Sequence, residues 1–466
     1  MSIKPSIYDL QLAKDFALAD LISCYRELGV SRLIYKLLSP NDNSKNQPYF
    51  GGHLTDLGFL PTQDISESQT TSNKTKDPKR QVKFVANLNM FWLSSDCQLY
   101  HAPHARLIYY PQYPEVRLSG FLRGCPINMG GWMDPGRKGR REGRVLVLGI
   151  KDTGEIIAWL ATPESRIAKE IMEFPSVKLS GVFNEIEIDG ADRRGDPKDI
   201  LITELFRIHE QQWIESKKLN SEGVMHAYRA RNGGGYTLEA ELGVIPNGIA
   251  EPDFMGWEIK QFGVRKCHLI DSKILTLMTP EPDGGFYVDQ GVEAFIRRYG
   301  YRSARINDRF DFTGRHFVNE TCIKSGLRLV TEGYDLSTDR ITDAAGSIML
   351  LDNQDKVASS WSFAKIMGHW KRKHARAAYI PSLSINRPDN VRCYSYCNNI
   401  RLFEGTSFNK LLQAMNNQYV YYDPGIKLEN ANTKPKVKRR SQFRIKSKLL
   451  DNLYHTRDDV DVTEKN

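Results

Sequence analysis

The stretch EPDFMGWEIKQF, Glu251 to Phe262, sets three acidic residues and one lysine around a short apolar centre. The segment WEIKQF reads as a strand, whose side chains alternate between two faces. Glu258 and Lys260 then share one face, while Trp257, Ile259 and Gln261 share the other and anchor the strand in a core. Met255-Gly256 can bend the chain and bring Asp253 alongside Glu258, so that two hard oxygen ligands converge as Mg²⁺ requires. A divalent ion placed there polarises a phosphodiester, and Lys260 stands beside the attacking water. The spacing by itself is cheap, because an acid-x-Lys triplet after an Asp arises by chance in a charged chain, and a solvated strand face accounts for it equally. EPDGGFYVDQG (Glu281 to Gly291) repeats the Glu-Pro-Asp without the triplet. LLDNQDKV (Leu350 to Val357) has acids and a lysine, but in a polar turn.

Upstream, GGGYTLEAELGVIPNG places three glycines before a short helix that Gly243 can cap. Leu238 and Leu242 lie on one helix face, with Glu239 at its edge. Glu239 either points towards Asp253 as a further metal or water contact, or sits with Glu241 on an ordinary surface helix.

The 466 residues suggest more than one domain. A hydrophobic share of 40% and an aromatic share of 10% fit a folded, water-soluble protein. No apolar run reaches the roughly 18 residues of a membrane span, and the charged N-terminus reads as an amphipathic helix (about Ser6 to Leu28) instead of a targeting segment. Seven scattered cysteines imply free thiols in a reducing cytoplasm. Cys97, His101 and His104, and Cys393 with Cys397, lack partner pairs at zinc spacing and are expected to be buried or ordinary strand positions. The net charge of +9 favours polyanionic partners. It concentrates in the Gly-rich loop GRKGRREGR (Gly136 to Arg144) and in KPKVKRRSQFRIKSK (Lys434 to Lys448); a solvated, mobile segment accounts for either and is favoured for the tail alone, while their co-occurrence leans towards nucleic acid.

Residues 1–190 read as a β-rich α+β domain, with a flexible insertion at Gln63 to Arg80 and a hairpin at RVLVLGI-KDTG-EIIAWLA. The Gly, Asp and Arg cluster around 191–199 reads as a linker. Residues 200–430 alternate helix and strand, an α/β pattern with a mixed sheet. Residues 431–466 form a basic, charged tail.

The segment TLEAELGVIPNGIAEPDFMGWEIK resembles the core signature of the MvaI/BcnI family of restriction endonucleases, within the PD-(D/E)xK superfamily and related to MutH-like enzymes. The resemblance runs through Thr237, Leu238, Glu239, Leu242, Gly243, Asn247, Pro252, Asp253, Gly256, Glu258, Ile259 and Lys260, and through later segments to about residue 425. It implies a restriction-endonuclease-like mixed sheet flanked by helices, and Mg²⁺-dependent hydrolysis of double-stranded DNA, with Mn²⁺ as a substitute. It assigns the metal to Asp253, Glu258 and the Ile259 carbonyl, the attacking water to Lys260, and an auxiliary role to Glu239. It implies a monomer or a transient dimer on DNA, in the cytoplasm of a prokaryote, with a cognate methyltransferase as a possible partner. The candidate DNA contacts are Asn43, Lys45, Asn46 and Gln47 in the loop SPNDNSKNQ, Arg137 in the Gly-rich loop, Arg315 and His316 in TGRHFVNE, and Lys371, Lys373 and His374 in WKRKHARAAYIP. Turn formation in the first loop and helix-dipole complementation in the last explain the same residues without DNA. The leading reading is a type II-like restriction enzyme. Its rivals are a modification-dependent or multi-component defence nuclease, a nicking repair enzyme, and an inactive DNA-binding protein.

Overall fold

The computed structural model describes residues 16–40, 47–69, 82–126, 130–133, 141–174, 176–186, 196–230, 232–245, 253–271, 273–388 and 390–464. The chain divides into two compact units, Met1–Arg194 and Gly195–Asn466. No helix among the described residues is long and apolar enough to cross a membrane.

The first unit is β-rich. Helix α1 (Leu18–Glu27) leads into β1 (Arg32–Leu38), which pairs antiparallel with β2 (Arg144–Ile150). The hairpin expected after β2 is present: β3 (Glu155–Ala161) pairs back on it through a turn that ends at Gly154, φ +85°. These strands lie at the middle of a seven-stranded sheet, and a separate five-stranded sheet completes the unit. Leu33, Tyr35, Val145, Val147, Ile157 and Trp159 bury one face of the larger sheet against α1 and the helix Arg166–Glu173. The expected insertion at 63–80 begins instead as a strand, Ile65–Gln69, paired with Val82–Asn87; residues 70–81 lie outside the described residues. Arg144, the last residue of the Gly-rich basic loop, is buried and donates to the carbonyls of Arg141, Trp132 and Ser39. It clamps the fold and is not available to a polyanion.

The second unit carries the mixed sheet. Strand β4 (Glu258–Gly263) runs parallel to β5 (Arg376–Asn386), which pairs antiparallel with β6 (Arg392–Tyr396) and β7 (Asn399–Glu404). Helix α2 (Pro197–Glu210) begins at an Asp196 cap with proline in its first turn, so residues 196–199 open a helix and are not linker. Its Leu201, Leu205 and Ile208 pack with Leu238, Trp257, Ile259, Ala378, Ile380 and Leu402 in one core.

The expected mobile tail is overturned. Residues Phe443–Lys446 pair with Ile274–Met278 and Val420–Tyr422, and β8 (Thr456–Asp461) pairs along the whole of β7. The physical reason lies in the alternation of FRIK: Phe443 and Ile445 are fully buried while Arg444 and Lys446 point away from that core. Charge content masked a strand pattern. The expectation of free thiols is corrected as well, since Cys24–Cys97 and Cys267–Cys397 are disulfides with Cα atoms 5.7 and 5.6 Å apart. Cys322 and Cys393 are free thiols, and both are buried.

Candidate active site

Helix α3 (Gly233–Glu241) packs tightly against the sheet. A Cβ at Gly234 would stand 2.7 Å from the Gln261 side chain of β4, and one at Gly233 would run into Ser216 and Tyr394. The glycines therefore let the helix start lie on the strands. Thr237 is buried and bonds to the Gly233 carbonyl, Leu238 enters the core, and Glu239 is left half-buried at the boundary. Gly243, at φ +72°, ends the helix, and the Val244 amide returns to the Glu239 carbonyl at 2.8 Å.

The bend at Met255-Gly256 is a two-residue hairpin. Phe254 and Trp257 exchange backbone hydrogen bonds of 3.0 and 2.8 Å, and Met255 and Gly256 take φ of +46° and +84°. Positive φ at both central residues matches the twist of paired strands. The hairpin turns Asp253 back along β4, where its Oδ2 accepts the Ile259 amide at 2.8 Å. Trp257 and Ile259 are buried in the core, as the alternation requires. Glu258, only 3% exposed, lies on the other face with Lys260, whose Nζ is 2.7 Å from Glu258 Oε1.

A second ammonium reaches the same carboxylate. Lys373, the last residue of helix α4 (Phe363–Lys373), places its Nζ 3.2 and 3.4 Å from the two Glu258 oxygens. Burial, then the charges of Asp253 and Glu258, push the Glu239 carboxyl up to about 7. Burial and Glu258 push Asp253 up to about 6, against the Ile259 amide and both lysines. Lys373 offsets this repulsion more strongly than Lys260 at both carboxyls. Among the described residues no three His, Cys, Asp or Glu side chains stand close enough together to hold a metal ion between them.

The structure thus brings Glu239, Asp253, Glu258 and Lys260 together. Of the DNA-contact candidates, Arg315 is exposed, whereas four are placed elsewhere than expected. Gln47 is buried and donates to Ser119 Oγ at 2.9 Å. His316 is fully buried, bonded to Ser325 Oγ and stacked on Phe312. Lys371 is 2% exposed, and His374 is fully buried between Tyr454 Oη and the Leu277 carbonyl. Burial holds His374 well below its ordinary pKa, so the neutral ring donates from Nε2 to Leu277 and accepts at Nδ1 from Tyr454. Met367, Trp370, Lys371 and His374 form one stripe at helical spacing, and that stripe faces the core. The periodicity was the available signal; the density of positive charge hid it. Lys373 falls off the stripe and turns to Glu258, a role that no local pattern announced. Asn43, Lys45, Asn46 and Arg137 lie outside the described residues, as do Asn247 and Pro252 of the motif.

Residues 202–454 match the profile of the MvaI/BcnI restriction endonuclease family. Two solved structures are similar: restriction endonuclease MvaI in complex with cognate DNA substrate (20% identity, covering 57% of this chain and 98% of that one, TM-score 0.42), and restriction endonuclease MvaI in the absence of DNA (19% identity, 58% and 99%, TM-score 0.32). No curated protein matches the chain.

Proposed function

The chain belongs to the MvaI/BcnI restriction endonuclease family and is a DNA endonuclease, and from that premise we propose that it hydrolyses phosphodiester bonds of double-stranded DNA with Mg²⁺, as a type II-like restriction enzyme against foreign DNA. The observation that carries this reading is the return of Asp253 along β4, beside Glu258 and Lys260 and within charge range of Glu239.

The residues fit a hard divalent cation. They offer carboxylate oxygens, and two of those carboxyls are raised by burial and mutual repulsion, which a cation relieves. Asp253, Glu258 and the Ile259 carbonyl would hold it, with Glu239 as auxiliary acid. Bound there, Mg²⁺ supplies polarisation of the phosphodiester and a lower pKa for its water. Lys260 would orient that water and offset charge on the pentavalent phosphorus. The buried side of β4, fixed by Trp257 and Ile259, keeps Glu258 and Lys260 in register for an in-line approach.

Arg315 is the base-contact candidate, since an exposed guanidinium can pair bidentately with guanine. The β-rich first unit is assigned DNA recognition or regulation. The enzyme acts as a monomer or a transient dimer on DNA in the cytoplasm of a prokaryote, alongside a methyltransferase of the same site. The cysteines no longer support that compartment, because two pairs are bonded.

Incubation of unmethylated and methylated plasmid with Mg²⁺ or EDTA, followed by sequencing of the ends, tests the reading. Discrete Mg²⁺-dependent cuts at one motif are expected. Cutting of modified DNA alone would favour a modification-dependent nuclease, and tight binding without cleavage an inactive one. Lys260→Ala should lower the single-turnover rate about 10²–10⁴-fold while DNA binding persists; a variant as fast as wild type sinks the assignment.

A further inference from the structure

The helix end that carries Lys373 is fixed by its neighbours. The residues flanking it are locked: Trp370 donates from its indole to Thr406 Oγ1 at 3.2 Å, and His374 is fixed by Tyr454 and Leu277 while stacked on Trp370 at 3.9 Å. This anchoring sets the end of α4 and aims the Lys373 side chain at β4. The ammonium straddles both oxygens of Glu258, at 3.2 and 3.4 Å, whereas Lys260 already bonds Oε1 at 2.7 Å. One carboxylate, almost fully buried, therefore receives two cations. The Lys373 side chain is 35% exposed, against 4% for that of Glu258, so it approaches from the solvent side, from which DNA must arrive.

Resting on the metal-dependent reading above, we propose that Lys373 is a stand-in cation: in the metal-free enzyme its ammonium occupies the face of Glu258 that a divalent ion needs, and metal binding expels it towards the incoming phosphate. An ammonium and a divalent cation cannot both sit on the same pair of carboxylate oxygens without strong repulsion. The expelled ammonium needs a new anion, and a DNA phosphate supplies one. Metal and DNA then bind reciprocally better together than apart, which holds metal loading low until substrate is present. An ordinary structural ion pair, or a phosphate contact independent of the metal, has neither consequence.

Calorimetric titration of the full-length, DNA-free protein with Mg²⁺ or Mn²⁺ tests this. Lys373→Met should bind the ion at least tenfold more tightly than wild type, and Lys373→Arg, which keeps the charge, should remain within about twofold of it. Unchanged or weaker binding by Lys373→Met overturns the proposal. A second measurement needs no variant. Acetylation of Lys373 in wild-type protein, mapped by mass spectrometry, should speed up on adding Mg²⁺ without DNA; an unchanged rate also overturns it. Glu258→Gln separates the stand-in role from the metal site itself. If that variant binds metal as wild type does, the metal site itself is wrongly assigned. If it loses metal while Lys373→Met gains none, only the stand-in role fails.

Discussion

Lys36 on β1 is 5% exposed, and among the described residues its ammonium donates only to the adjacent Leu37 carbonyl at 3.2 Å. Burial lowers its pKa from 10.5 to about 8. The folded state therefore disfavours the charged form, and between about pH 8 and 10.5 the unfolded chain binds more protons than the folded one. Wild-type stability of the first unit should rise across that window and carry the full penalty below pH 8. Lys36→Met is expected to stabilise the unit at pH 7 by up to about 3 kcal/mol, a gain that shrinks as pH approaches 10.5. Denaturant titration at pH 7 and pH 10 reads this directly, and an equal gain at both pH values would contradict it. At the same scale, the sequence was a good guide to where Asp253, Glu258 and Lys260 lie, because each meets neighbours a few residues away. It was a poor guide to His316, Lys371 and His374, whose burial depends on partners such as Ser325, Leu277 and Tyr454.

Among the elements, the hairpin before β4 sets the distance between Asp253 and the strand. Gly256 has open space around it but a φ of +84°, so its constraint is conformational and not steric crowding. Gly256→Val should cost about 1–2 kcal/mol and displace Asp253 from the Ile259 amide, lowering the cleavage rate more than the melting temperature alone predicts. Gly256→Asn, which tolerates the left-handed region better, should recover much of both. Equal losses from the two variants would mean that the turn does not position the acid. The bend was legible at Met255-Gly256, and so was the capped helix α3. The final strands were not, because KPKVKRRSQFRIKSK mixes exposed basic residues with Phe443 and Ile445 in the core, and a net-charge reading averages the two faces.

At the scale of the whole molecule, the last residues close the nuclease unit. Deleting residues 456–466 strips β8 from the edge of β7 and leaves that edge unpaired. The truncated protein is expected to melt at clearly lower temperature and to aggregate, with cleavage lost through unfolding; calorimetry and light scattering would show it. Full stability after deletion would restore the picture of a dispensable tail. Local spacing in the sequence determined the candidate chemistry: an acid before a bend, an acid and a lysine on the strand behind it, a glutamate on a capped helix, and a mixed α/β unit around them. Tertiary structure alone decided which of many basic residues face that chemistry. Lys373 meets Glu258 across 115 positions of chain, and Tyr454 meets His374 across 80. Periodicity reveals that a residue has a face, but only the packing of distant elements decides what that face touches.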